Sequence, residues 1–299
     1  MKLEGIYAPI STPFSENGDI NYEALQQNLA KWKNAGLDGL VVCGSNGELP
    51  FIELDERVKL TQICKKEMQG KARIVTGIHY PSTRETIACA KAVADAGCEA
   101  GLLLPPSYFK GQGMPGVIHY FEEVANASPI PLILYNMPGN TGVNMDAATM
   151  LHLGKHPNII GVKDTAGDMT QLGTICARAP EGFSVFAGSA NYLLPALSLG
   201  VAGGTLAAAN LYPVSCRKLI DLYKEGKMGE ARLLQYKLLA ISDAITRRFG
   251  VPGLKVAMDS RNLFGGPCRS PLMPVSESVK TEILKVLDEA GLDSLETWR

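Results

Sequence analysis

Residues 34–48 read NAGLDGLVVCGSNGE, and in that short stretch one helix ends, one strand runs and a further turn opens. The glycine of NAG supplies the left-handed cap on which a helix closes. From Gly39 to Cys43 the chain is apolar without alternation, the pattern of a parallel strand covered on both faces. GSNGE then turns toward Leu54–Met68, where apolar residues recur three and four apart as in an amphipathic helix. This is a strand–turn–helix unit, and it recurs along the chain.

Further strands are predicted at Ile6–Ser11, Ile74–Gly77, Ala100–Leu104, Leu132–Asn136, Ile159–Lys163, Ser184–Ala187 and Gly203–Leu206, which with Gly39–Cys43 makes eight. Helical periods lie between them, among them Tyr22–Ala35, Thr83–Ala96 and Pro115–Ala127. Strands and helices alternating in that number predict an α/β fold, a (β/α)8 TIM barrel. After the eighth strand only helical patterns follow, at Pro213–Glu225, Met228–Arg247, Val256–Asn262 and Ser276–Ala290. The expected organisation is a barrel with the active site over residues 1–225 and a C-terminal helical appendix over 226–299, with no Ser/Gly-rich linker between them.

A chain of 299 residues holds one barrel and a tail without a second independent domain. With 29 basic and 30 acidic residues the formal charge is −1, which gives no footprint for nucleic acid or an anionic membrane, so a small-molecule partner is expected. No apolar run is long enough to span a bilayer, and MKLEGIYAPISTPF reads directly into a strand rather than as a signal peptide; a soluble, cytoplasmic enzyme is expected. The seven cysteines are scattered singly in apolar segments and read as small buried hydrophobes. Cys43, just before the glycine-rich turn, keeps a nucleophilic alternative.

In such barrels the reactive groups stand at the C-terminal strand ends. Here those ends are CGSNGEL (43–49), LPPSYFKG (104–111), YNMPGNTG (135–142) and GVKDTAGD (161–168). Lys163 closes the apolar run NIIGVK, where desolvation disfavours the ammonium and favours an amine able to attack a ketone. The alternative is a strand-end lysine paired with Asp164 or a bound anion. Tyr135 ends the neighbouring strand; it reads as a proton carrier or as a rim tyrosine over the core. Schiff-base chemistry needs an amine and a separate acid/base in one cavity, so the two positions support each other. The turn Gly44–Glu48 offers successive backbone amides to a carboxylate, or is simply a glycine-containing barrel turn. Glu48 reads as a structural hydrogen-bonder near the helix start.

GSNGE, YNMPxNTG and GVKDTxGD in this order resemble the dihydrodipicolinate synthase and N-acetylneuraminate lyase superfamily of pyruvate-dependent class I aldolases. The likeness is collinear over nearly the whole chain, from APISTPF (8–14) through AGSAN (187–191) to CRSPLMPVSE (268–277). It implies that Lys163 forms the Schiff base, with no cofactor or metal, and that Tyr135 is the general acid/base. It further implies that Ser45 and Tyr108 relay protons to Tyr135, with Tyr108 entering from an adjoining subunit of a homotetramer built as a dimer of dimers. Ser45, Asn46 and Gly47 are expected at the 2-oxo-acid carboxylate, and Thr165, Asn140, Gly188 and Thr205 at the rest of the substrate.

The synthase branch carries an arginine in YNxPxRTG for the distal carboxylate of its aldehyde; this chain has Asn140 there. GSNGELPF, KDTAGD, ITRRFGVPGLK and FGGPCRSPL instead resemble the 4-hydroxy-2-oxoglutarate aldolases. The expected reaction is cleavage or formation of a 4-hydroxy-2-oxo acid, of the 4-hydroxy-2-oxoglutarate or 2-keto-3-deoxy sugar acid type, through pyruvate and an aldehyde. Its alternatives are 4-hydroxy-tetrahydrodipicolinate synthase activity and a catalytically silent 2-oxo-acid-binding barrel. A metal-dependent aldolase would need clustered ligands, yet of the four histidines only His79 follows a strand. A phosphosugar enzyme would use the glycine-rich ends of strands 7 and 8, but no Lys or Arg lies in those segments, and Gly188, Gly203 and Gly204 read as room for substrate hydroxyls.

Overall fold

The computed structural model describes residues 3–298. Strands β1 (Gly5–Pro9), β2 (Gly39–Val42), β3 (Arg73–Gly77), β4 (Ala100–Leu103), β5 (Leu132–Asn136), β6 (Ile159–Asp164), β7 (Ser184–Ala187) and β8 (Gly203–Thr205) pair in parallel, each with the next, and β8 returns to β1 to close a barrel. Helices α1 (Tyr22–Trp32), α2 (Leu54–Met68), α3 (Thr83–Asp95) and α4 (Gly113–Ala127) follow the first four strands. A single turn, α5 (Pro138–Thr141), precedes α6 (Ala147–Leu153); α7 (Met169–Arg178), α8 (Leu193–Ser198) and α9 (Pro213–Lys224) complete the ring. The appendix holds α10 (Met228–Ser242), α11 (Gly250–Asp259) and α12 (Glu277–Ala290).

The barrel fold expected from the alternating patterns is therefore present, with strand ends within a residue or two of the predicted ones. Gly36 adopts φ +71°, but α1 already stops at Trp32 with a right-handed C-cap at Lys33, so this left-handed residue turns the chain toward β2 instead of capping the helix as the NAG triplet predicted. The main departure lies in the appendix. Met228–Arg247 was predicted as one helix, but α10 stops at Ser242 and Asp243–Arg248 winds as a π-helix. The appendix helix predicted at Val256–Asn262 starts earlier than expected, at Gly250, and Pro252 sits in its first turn, where a missing N–H costs no intrahelical bond.

Strand alternation sorts the side chains into two cores. Tyr7, Val41, Val75, Leu102, Ile133, Tyr135 and Phe186 point into the barrel, with Phe186 edge-on to Tyr7 at 5.3 Å. The opposite faces pack against the helices in a second core that continues without a break into Leu234, Leu238, Ile241, Leu254, Met258 and Leu287 of the appendix. The C-terminal helices are thus packed on the barrel rather than tethered to it. Gln235 on α10 donates to Ala190 O (2.7 Å) and accepts from Leu194 N (2.8 Å), tying the appendix to the end of β7.

A buried ion pair makes a second tie. Lys255 Nζ on α11 lies 2.6 Å from Glu48 Oε1, and both side chains are almost wholly excluded from solvent. Lys255 also donates to Thr12 O (2.9 Å) and Pro267 O (2.6 Å), while Glu48 Oε2 accepts from Arg269 N (2.8 Å). Glu48 stands at φ +60°, a region costly for a side chain with Cβ, so these bonds hold a strained loop. The structural part that the sequence assigned to Glu48 is what the fold displays. Lys255→Ala leaves a buried carboxylate unpaired and should lower the unfolding free energy by about 3–5 kcal/mol in denaturant titrations. The double variant Glu48→Gln, Lys255→Met should recover a large part of that loss. A drop below about 1 kcal/mol in the single variant would show that the pair contributes little beyond a surface bridge.

Candidate active site

Lys163 and Tyr135 are register partners on β6 and β5, so adjacent strands deliver both side chains into the barrel at the same height. Both are buried, with 4% and 2% of their surfaces exposed, and Lys163 Nζ stands 4.0 Å from the centre of the Tyr135 ring. Ser45 Oγ, at the head of the turn after β2, lies 3.1 Å from Tyr135 Oη. Burial alone would push the Tyr135 phenol up. The positive charge of Lys163, with the hydrogen bond from Ser45, outweighs it and holds the phenol below the usual range. A phenol held in this way can take a proton and give it back.

Asp164, the alternative partner for Lys163, is turned to the other face by strand alternation. Its Oδ1 accepts from Asn136 Nδ2 (3.1 Å) and Ala166 N (2.9 Å), and its Oδ2 from Gln171 Nε2 (3.2 Å). It anchors the end of β6 and leaves Lys163 to the cavity.

Above the pair opens a cavity of about 550 Å³, a size that suits a small metabolite. Ser45, Asn46, Lys163, Thr165, Asn140 and Gly188 all line it. Gly188 is there for space: a Cβ would lie 2.2 Å from Thr165 Oγ1 and 2.7 Å from Asp164 O, so the end of β7 can approach β6 only as glycine. Asn140 stands exposed at the rim on α5, at the mouth rather than the floor.

Three expected site residues lie elsewhere. Gly47 is buried under the turn, and its amide donates to Gly44 O (3.0 Å), as that of Glu48 does to Ser45 O (3.1 Å). The tight 3₁₀ winding consumes those amides and leaves Ser45 and Asn46 as the part of the turn that faces the cavity. Thr205 points into the barrel below Lys163, in a small void shared with Tyr7 and Phe186, because β8 is only three residues long and ends beneath the mouth. Gly203 and Gly204 are likewise strand residues and do not line the cavity. Tyr108 is 85% exposed, edge-on to Phe109 at 5.0 Å, and lines a second cavity with His79 and Lys110, apart from Tyr135 in the same chain.

Cys43 is fully buried and its thiol is pushed up to about 12, which removes the nucleophilic alternative. His79 hydrogen-bonds Tyr120 Oη at 3.2 Å, and burial lowers it to about 4, so it is a neutral ring of the second cavity. The other histidines are dispersed over α4, α6 and the turn after α6.

The description of the dihydrodipicolinate synthetase family matches residues 2–290. The chain belongs to that family. A probable mitochondrial 4-hydroxy-2-oxoglutarate aldolase of Emericella nidulans is 34% identical over 303 residues, covering 99% of this chain and 96% of the relative. A 4-hydroxy-tetrahydrodipicolinate synthase of Exiguobacterium sp. is 32% identical, covering 95% and 97%. Among solved structures, YagE, a prophage protein of Escherichia coli K12 crystallised with pyruvate, superposes with a TM-score of 0.90 at 26% identity, covering 97% and 99%. Members of the dihydrodipicolinate synthetase family are pyruvate-dependent class I lyases and aldolases, and this chain is an enzyme of that type.

This family member also presents cavity residues that its sequence motifs did not single out: Tyr192, Ser242, Thr246 and Arg247. Tyr192 Oη donates to Asp164 O (2.8 Å), and burial raises its phenol, which keeps it a neutral donor bracing β6. The other three come from the junction of α10 with the π-helix, so the appendix furnishes one wall of the site. Among the described residues, no helix is long and apolar enough to cross a membrane.

Proposed function

We propose that the enzyme cleaves, and in reverse forms, 4-hydroxy-2-oxo acids of the 4-hydroxy-2-oxoglutarate or 2-keto-3-deoxy sugar acid type, through a Schiff base on Lys163. The observation that carries this reading is the Lys163–Tyr135–Ser45 constellation at the floor of a closed-ended cavity. The Lys163 amine adds to the C2 ketone, and loss of water leaves a protonated imine. Tyr135 removes the proton of the C4 hydroxyl, the C3–C4 bond breaks, and its electron pair enters the imine to give an enamine and a free aldehyde. Protonation of the enamine at C3 and hydrolysis by water release pyruvate and restore the amine.

In this mechanism Ser45 and Asn46 hold the 2-oxo-acid carboxylate, Thr165 and Gly188 border the reacting carbons, and Asn140 faces the aldehyde half. Tyr108 acts on the Tyr135 of a neighbouring subunit. Its exposed position beside Phe109 supports a subunit contact there, and the exposed Leu233, Tyr236 and Leu239 on α10 support a second, as a homotetramer requires. Seven free cysteines, most of them buried, suit a reducing compartment such as the cytoplasm.

The second reading, condensation of pyruvate with aspartate semialdehyde, is favoured by the names of several relatives. Two features oppose it. An Arg–carboxylate contact is bidentate and charge-assisted, and Asn140 cannot reproduce it. The cavity lining holds no carboxylate to pair with the substrate's ammonium group. Comparison of kcat/KM should therefore favour cleavage of 4-hydroxy-2-oxoglutarate over condensation with the semialdehyde by at least about tenfold, the scale of one lost charged contact. A higher value for the semialdehyde reverses the assignment.

A further inference from the structure

The proposed cleavage leaves open what recognises the far end of the substrate, and the appendix supplies a residue for it. Among the described residues, Lys163 and Arg247 are the two basic ones lining the cavity, one at the floor and one at the rim, and no acidic side chain lines it with them. With Lys163 given to the reacting ketone, Arg247 is the cation left to meet an anionic group on the substrate, and no lining carboxylate competes for it.

Arg247 reaches the cavity because of a local irregularity. Ser242, the last residue of α10, lines the wall, and Asp243–Arg248 then follows as a π-helix. The wider i→i+5 turn brings Arg247, five residues on, round to the face of Ser242, whereas an α-helical turn would carry it past that face. Thr246 donates to Ser242 O within the same turn and also lines the cavity. The Arg247 guanidinium is otherwise lightly engaged: its side chain is 80% exposed, and its Nε stands 3.9 Å from Asp243 Oδ1. A loose surface pair of that kind contributes little and yields readily to a better anion. Lys110, a further cation near this end of the barrel, lines the second cavity instead.

We infer that Arg247 binds a second carboxylate, carried by the aldehyde half of the substrate, so that the enzyme selects dicarboxylic 4-hydroxy-2-oxo acids over those ending in a neutral group. This inference rests on the cleavage reading and names its substrate class. The Ser45–Asn46 turn holds the first carboxylate beside Lys163, and the guanidinium holds the second at the mouth, with the scissile bond between them. The π turn is then a specificity device: it presents a planar, bidentate donor that an aldehyde bearing its own carboxylate can accept.

The test measures pyruvate release from 4-hydroxy-2-oxoglutarate and from 4-hydroxy-2-oxopentanoate, which has a methyl group in place of the distal carboxylate, using wild type, Arg247→Ala and Arg247→Lys. Wild type should prefer the dicarboxylate. Arg247→Ala should reduce the ratio of the two kcat/KM values by about 10- to 100-fold, chiefly through KM for the dicarboxylate, the scale of a charge-assisted contact. Arg247→Lys, which keeps the charge and loses the fork, should recover part of it. Equal losses on both acids would mark Arg247 as structural and overturn the inference, as would a ratio that does not move. A wild type that cleaves only the pentanoate also overturns it while leaving the lyase reading intact. Cleavage of neither acid by a protein that still traps pyruvate with borohydride removes the cleavage reading and this inference with it.

Discussion

Lys163→Ala should reduce turnover to background and abolish covalent labelling by pyruvate and borohydride. Only a primary amine at the reacting carbon can form the imine that borohydride reduces, and among the described residues Lys163 is the one lysine lining the cavity. The other lysines near the strand ends are committed elsewhere: Lys255 Nζ is 2.6 Å from Glu48 in a buried pair, and Lys110 lines the second cavity. An exposed lysine could react slowly at high pyruvate, but without Tyr135 beside it the carbinolamine has no positioned acid to expel water. The variant should stay folded, because the truncation opens space toward a solvent-filled cavity instead of a sealed core. Intact mass after borohydride treatment decides the matter. A full-yield adduct on another lysine would move the Schiff base away from Lys163.

The same residues explain why this site was partly legible before any coordinates. Lys163 and Tyr135 are strand-terminal, and in a parallel barrel the strand terminus, its inward phase and its height are all fixed by hydrophobic runs that can be read directly. Leu132–Asn136 and Ser184–Ala187 have the bounds that their apolar runs predict. Reading further than the strand end failed where local geometry decides. Thr205 was expected at the substrate from the resemblance, but β8 is short enough that its last residue borders a small void with Lys163 below the mouth. Gly47 was expected to offer its amide, but the 3₁₀ turn closes that donor onto Gly44.

The place of Arg247 and Ser242 at the cavity was not read from the sequence for a different reason. They reach the cavity from a helix about 80 residues beyond Lys163 in the chain, and a π insertion shifts the phase by one position without disturbing the hydrophobic period on either side. Arg247 lies within ITRRFGVPGLK, but that stretch speaks for kinship and does not tell which of its side chains reaches the cavity. Their role follows from tertiary packing of α10 against the turn after β7, where Gln235 bonds both Ala190 O and Leu194 N. The barrel and the appendix share one core and line one cavity, so a change in either part reaches the same cavity.

Tyr135→Phe should keep the fold and lower kcat by a factor of about 100 or more, the range expected when a positioned proton carrier is lost. The ring would remain in the barrel interior beside Ile133 and Phe186, and only the oxygen that faces Ser45 at 3.1 Å would go. Pyruvate trapping should slow as well, since dehydration of the carbinolamine uses the same group. Ser45→Ala provides the companion measurement, and its sign follows from what holds the phenol down. Hydrogen bonding from Ser45 is one of the influences that lower Tyr135, so removing it raises the phenol. If the phenolate is the base that takes the C4 hydroxyl proton, activity develops as pH rises through that titration, and the acid limb of the kcat profile should move to higher pH in Ser45→Ala. In Tyr135→Phe that limb should vanish altogether. A near-normal rate in Tyr135→Phe, or an acid limb that persists in it, would assign proton transfer to another group.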